Sequence, residues 1–226
     1  ISKCCYIPSE CNKLSEIAAD TDGLLLARDD AENHLYFSEF AFKNSLPIYI
    51  DKPLALSLED AYRIFNKSKE SIVFSTSAMR YDPDLNIKGW WRDPRTTRIK
   101  GIAPKSWQKY SIHVIDPILE SFQKAFDYES KNLFDLIQKC PYSMIHNGIS
   151  IRIPRPQKLN PIEVEITTTK KDYDSIGLYC FSEEDILIDS KLHLNPFRAF
   201  KNTLTIFLEL IRNKNLVKMD HYKILT

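Results

Sequence analysis

The sequence predicts an α/β protein in two parts: a short, parallel, wound sheet first, then an α+β region built on a large, mainly antiparallel open sheet. Three observations predict it. The apolar runs at 24–27 and 48–50 are each followed, after a short connection, by helix-type periodicity. Strand, helix, strand, helix is the order of a parallel sheet. Residues 149–153 and 162–168 alternate apolar and polar side chains, the pattern of a sheet with one covered face. Asn195-Pro196 then opens a long apolar repeat, a helix start of cap followed by proline. The character of the chain changes near residue 70, which places one domain at 1–70 and a second at 71–226.

Taken in order, residues 9–19 read as a weak amphipathic helix. Leu24-Leu25-Leu26-Ala27 follows an Asp22-Gly23 turn and is uninterruptedly apolar, as expected of a strand covered on both faces. Asp29 and Asp30 can cap a helix over 31–43. The strand 48–50 comes next, and Ser57-Leu58-Glu59-Asp60 is a capping-box pattern. It opens a helix over 58–67 with Ala61, Ile64 and Phe65 on one face. Residues 72–77 are β-rich, 89–95 read as a polar, aromatic loop, and 98–103 as a strand. Helical character runs from 107 to 126 with Pro117 inside it. Either Asp116 caps a helix with Pro117 at its first position, or the helix starts near Ser106 and Pro117 interrupts it. The stretch 143–190 is mostly strand, with segments at 178–181 and 185–189 around a Ser-Glu-Glu turn. In the last helix Phe197, Phe200, Leu204, Phe207, Leu208 and Ile211 recur every three or four residues, so it is expected to pack firmly until about 213–215.

Composition narrows the function. Hydrophobic residues make up 43% and charged residues 27% of 226, with a net charge of +1. That balance gives no general field for nucleic acid or an acidic membrane. No apolar run approaches the roughly 18 residues of a membrane span, and no secretory leader is expected. The cysteines at 4, 5, 11, 140 and 180 form neither metal-type pairs nor a secreted disulfide framework, which points to a reducing cytoplasm. The first residue is Ile, which suggests that sequence upstream is not represented. His146, His193 and His221 have no ligand-spaced neighbours, so no metal site is expected.

Chemistry is concentrated at Pro47-Ile48-Tyr49-Ile50-Asp51-Lys52-Pro53. It places a lysine just past the carboxyl end of a strand, the edge at which open α/β sheets bind ligands. Pro53 favours an extended backbone at Lys52. A second cluster, Trp90, Trp91, Arg92, Arg95, Arg98, Lys105 and Trp107, has the residues of a phosphate clamp. It is read in preference as a solvated loop anchored by its tryptophans.

Together with Ser111-Ile112-His113-Val114-Ile115-Asp116, this order of features resembles the Gfo/Idh/MocA oxidoreductases. The family's Glu-Lys-Pro stands here as Asp51-Lys52-Pro53, followed by Leu-Ala-Leu-Ser-Leu-Glu-Asp-Ala. Its Ala-Thr-Pro-Asn-x-x-His corresponds to Ala27-Arg28-Asp29-Asp30 with His34 displaced by one position. Its Asp-x-x-x-His-x-x-Asp corresponds to Lys109-x-x-x-His113-x-x-Asp116. The resemblance is specific over about 20–126 and elsewhere rests on layout.

It implies a Rossmann-type domain, present here in part, and a second α/β domain. It also implies NAD or NADP as cofactor and a sugar or polyol substrate, with self-association through the open sheet. Ala27, Arg28, Asp30, His34, Asp51 and Lys52 would then bind the cofactor, and Arg80, Trp107, Lys109 and Asp116 the substrate. Lys52, His113 and Lys109 would be catalytic. His113 would take the hydroxyl proton and Lys52 would steady the charge developing on oxygen.

The sequence departs from the family twice. The Asp expected before the histidine is Lys109, which either favours a neutral imidazole or binds an anionic group on the substrate; alternatively His113 is a packing residue only. The Gly-x-Gly-x-x-Gly fingerprint and the acid about 20 residues after it are also missing, and five glycines leave little room for them. A catalytically silent relative, serving as a sugar-binding or assembly module, is the alternative reading.

Overall fold

The computed structural model describes residues 10–17, 21–67, 71–169 and 175–213. The chain divides into two compact units, Ile1–Phe74 and Ser75–Thr226.

The first unit holds a three-stranded parallel sheet in the order β1 (Leu24–Leu26), β2 (Ile48–Ile50), β3 (Val73–Ser75), the last residue of β3 being the first of the second unit. β1 pairs with β2 in register Leu26↔Ile50. β2 is central and wholly buried. β1 is not: Leu25 is 57% exposed, so the expectation that residues 24–27 form a strand covered on both faces fails at this edge strand. Helix α1 (His34–Lys43) is preceded by a 3-10 turn at Ala31–Asn33. Asp30 does not cap that turn through its side chain. Its carboxylate takes Arg28 at 2.7 Å and the Asn33 amide at 2.9 Å instead. α2 (Leu58–Lys67) starts where the capping pattern puts it, with the Asp60 N–H donating to Ser57 Oγ at 3.1 Å. Ala61 and Ile64 face inward. In place of an N-terminal amphipathic helix there is a 3-10 turn at Leu14–Glu16; residues 9 and 18–19 of that expected helix lie outside the described residues.

The second unit is organised on a six-stranded sheet of order β5-β6-β7-β4-β8-β9. The strands are β4 (Arg98–Pro104), β5 (Tyr142–Ile145), β6 (Gly148–Ile153), β7 (Ile162–Thr169), β8 (Gly177–Phe181) and β9 (Leu187–Leu192). Only β4 and β7 pair in parallel; the other pairs are antiparallel. The inward residues of β4 are Ile99, Gly101 and Ala103. A Cβ at Gly101 would come within 3.0 Å of Val114 Cβ. The missing side chain is therefore what lets the helix carrying Val114 lie close on the sheet. That helix is α5 (Ile112–Phe126), preceded by the single turn α4 (Trp107–Tyr110). Of the two accounts of Pro117, helix through the proline is the one observed; with no N–H, Pro117 cannot make the usual bond back to His113.

Residues expected as a loop form a short helix, α3 (Lys88–Arg92), with Trp91 fully buried and meeting Phe122 edge-on at 4.9 Å. Such a pair contributes about 0.5–1.5 kcal/mol beyond its area. The basic residues nearby are spent internally: Arg92 donates to the Ala125 carbonyl at 2.7 Å, Arg95 pairs with Asp93 at 2.8 Å, and Arg98 with Asp185 at 3.0 Å. Arg155, which no local pattern marks, donates to the carbonyls of Asn160, Trp91, Asp93 and Thr96 at 2.5–3.2 Å. α6 (Ser130–Gln138) is a further helix that the periodicity does not reveal.

α7 (Pro196–Arg212) starts as read, with Asn195 Oδ1 accepting from the Arg198 N–H at 3.1 Å. Its packing differs from expectation. Ala199, Thr203 and Phe207 are buried, whereas Phe197 is 85% and Leu208 49% exposed. The helix therefore seats on two small residues and Phe207 and leaves much of its apolar stripe outward. The expected stop at 214–215, like Cys4, Cys5 and His221, lies outside the described residues. Among the described residues no helix is long and apolar enough to cross a membrane, and no group of acids, histidines and cysteines could hold a metal ion.

Candidate active site

In the first unit, parallel pairing of β1 with β2 sets the loops after them side by side at one sheet edge. Ala27 and Arg28 follow β1 and are exposed; Asp51 and Lys52 follow β2, half-buried and buried respectively. The Lys52–Pro53 peptide is cis. His34, fully buried at the start of α1, ties the two loops together. Its Nε2 lies 3.1 Å from the Arg28 carbonyl, and its Nδ1 lies 3.0 Å from that of Pro53 and 3.3 Å from that of Leu54. Of the six residues expected at the cofactor, His34 is thus a brace inside the loops. Arg28 is paired with Asp30 and stacks 4.9 Å over Phe37.

Burial pushes the Asp51 carboxyl above its ordinary range, opposed in part by the charge and N–H of Lys52. The folded protein therefore binds this proton more tightly than the unfolded chain does. Stability is lost as pH rises from the unfolded value, about 3.9, through the folded one. Asp51→Asn should accordingly melt above wild type at pH 7, with the difference gone at about pH 3, below both values. Thermal melts at the two pH values test this; a variant melting below wild type at pH 7 would show that the buried charge is not a burden.

In the second unit a turn and a helix build a polar chain. The 3-10 turn Ala78–Tyr81 packs on α5, whose residues His113, Asp116, Glu120 and Gln123 share one helix face. Asp116 is fully buried. Its Oδ2 accepts the Thr76 hydroxyl at 2.6 Å and the Ser77 N–H at 2.9 Å, and its Oδ1 accepts Arg80 Nη1 at 2.7 Å. Arg80 also pairs with Glu120 and donates to Gln123 at 3.2 Å. Burial alone would lower Arg80, but Asp116 and Glu120 more than reverse that and raise it. The Ser77 hydroxyl lies 2.8 Å from His113 Nδ1.

The structure thus brings His113, Asp116 and Arg80 together. Asp116 is sealed in and Arg80 is held by three partners, so both position the turn that carries Ser77. Lys109, half-buried, and Trp107, packed on the core, stand on α4 one turn earlier. Tyr110 beside them stacks 5.6 Å from the His113 ring. Ser77 and Thr76 are the residues that sequence reasoning missed. The only signal was their place at the end of a β-rich run.

No protein-family model matches the chain, and no curated protein does. Solved structures do. A Gfo/Idh/MocA family oxidoreductase from Vibrio cholerae superposes with a TM-score of 0.57 over 95% of this chain and 78% of its own, at 10% identity. The fold is that of the Gfo/Idh/MocA oxidoreductases. UDP-N-acetylglucosamine 3-dehydrogenase from Acidithiobacillus ferrooxidans is similar over 91% of this chain and 74% of its own, with a TM-score of 0.57 and 10% identity. Apo scyllo-inositol dehydrogenase from Lactobacillus casei is similar over 92% and 74%, again at 0.57 and 10%. At such identities the likeness to Gfo/Idh/MocA proteins is one of fold and assigns no residue a role.

Proposed function

We propose that the protein is an oxidoreductase moving a hydride between NAD or NADP and a hydroxyl carbon of a sugar, a sugar derivative such as a nucleotide sugar, or a cyclic polyol. The observation that carries this is Lys52, a buried cation at the carboxyl end of the central strand β2. It sits in a loop braced by His34, beside an Asp51 whose burial disfavours its charge. Perturbed groups of this kind at a strand's carboxyl end mark functional sites. The similar dehydrogenases act, by their names, on a nucleotide sugar and an inositol.

The described residues fit one end of such a cofactor. The ledge formed by Ala27, Arg28, Asp51 and Lys52 suits a nicotinamide and its ribose. No described glycine has positive φ, so these residues offer no glycine cradle for the pyrophosphate. A nicotinamide bound there supplies or accepts the hydride. Lys52 then stabilises negative charge growing on the substrate oxygen. Self-association uses the open face of the large sheet, where Arg98, Lys100, Glu163 and Glu165 stand beside Tyr179 and Phe181.

A second reading, a sugar-binding or assembly module, is favoured by the absence of Gly-x-Gly-x-x-Gly from these residues. An assay of NAD(P)H formation against sugars, nucleotide sugars and inositols separates the two. Turnover of at least one is expected. Sugar binding with no turnover, and with affinity indifferent to NAD and NADP, would establish the second.

A further inference from the structure

We infer that Ser77 fixes the tautomer of His113, so that the neutral ring carries its proton on Nε2 and meets a substrate oxygen as a hydrogen-bond donor, not as the base. The role at substrate rests on the function proposed above; the tautomer does not. Ser77 is fully buried. Its oxygen accepts from the Met79 N–H at 3.1 Å and lies 2.8 Å from His113 Nδ1. Among the described residues these are the partners of that oxygen. A hydroxyl has one proton to give, and a buried proton with no acceptor is costly. Met79 cannot take it, since its N–H is itself a donor. Nδ1 therefore accepts, and a neutral imidazole that accepts at Nδ1 holds its hydrogen on Nε2.

Asp116 keeps this arrangement in place by gripping the Ser77 N–H and the Thr76 hydroxyl. A carboxylate at the position of Lys109 would work in the opposite sense. An acid accepts, so the ring nitrogen facing it keeps the hydrogen and the far nitrogen becomes basic. Here the partner is a donor, and the bias is reversed. Ser77 is thus a positioning residue that turns His113 from proton acceptor to donor, the chemistry that holds a carbonyl or alkoxide oxygen.

Isotope-labelled histidine in the ligand-free protein tests this directly, by long-range proton–nitrogen correlation spectra at a pH where the rings are neutral. The sequence has five histidines, and the His113 signals are those lost in His113→Gln. The expected result is a pyridine-type Nδ1 and a pyrrole-type Nε2 for His113. In Ser77→Ala that preference should give way to a mixture of tautomers. A pyrrole-type Nδ1 in wild type overturns the inference and needs no variant to fold; so does an unchanged tautomer in Ser77→Ala. The spectrum needs neither cofactor nor substrate, so failure of the oxidoreductase reading would leave it as it is.

Discussion

Lys52→Met is expected to lower turnover in the active enzyme by about 10²–10⁴-fold, the effect of losing one acid–base or oxyanion partner. Methionine keeps much of the length and apolar stem, so the buried position at the end of β2 stays filled while the charge is gone. The loss should fall on kcat, with KM within a few-fold of wild type. An interaction that grows in the transition state is missing from the rate and not from ground-state affinity. Steady-state kinetics on the variant, with a thermal melt to confirm folding, decides the matter. A folded Lys52→Met enzyme with near-normal kcat would reduce Lys52 to an ordinary strand-end lysine.

Asp116→Ala is expected to destabilise the second unit by about 3–5 kcal/mol, the effect of breaking a buried ion pair from one side. Arg80, its side chain 7% exposed, would keep Glu120 and Gln123 but lose its bond to Oδ1. Thr76 and the Ser77 N–H would lose their acceptor as well. Asp116→Asn, which keeps the shape and a carbonyl acceptor, should cost less, about 1–3 kcal/mol. Urea unfolding of both variants measures the difference. If both lie within about 1 kcal/mol of wild type, the network is ornamental and does not hold His113.

What could be read from the sequence was local. The β2–Lys52–Pro53 stretch and the Ser57 cap of α2 are signalled by residues within a few positions of one another, as is the Asn195-Pro196 start of α7. Each stands where the pattern puts it. What could not be read depends on partners far along the chain. Ser77 owes its role to His113 and Asp116, and Arg155 to carbonyls near residue 93. Neither leaves a trace in periodicity. Residues 89–95 read as a loop, yet Lys88–Arg92 is helical; its tryptophans do anchor it, with Asp189 accepting the Trp90 indole N–H at 2.9 Å and Phe122 packing on Trp91. The α7 stripe misled in another way: periodicity reports an apolar face, and the face in contact is Ala199, Thr203 and Phe207, which takes only Phe207 from the expected stripe as a fully buried residue.

The position of β4 inside its sheet bears on how the protein is made. Its neighbours are β7 and β8, so Arg98 waits for Glu163 on one side and Phe181 on the other. On a ribosome adding about 5–20 residues per second, both edges of β4 stay unpaired for on the order of ten seconds. During that interval Ile99, Ile102 and Ala103 form a bare strand with two open rows of amides. Long-range pairing of this kind is slow and prone to aggregation. Nascent chains stalled before residue 163 should therefore be clients for chaperones, and chains released after residue 192 should not.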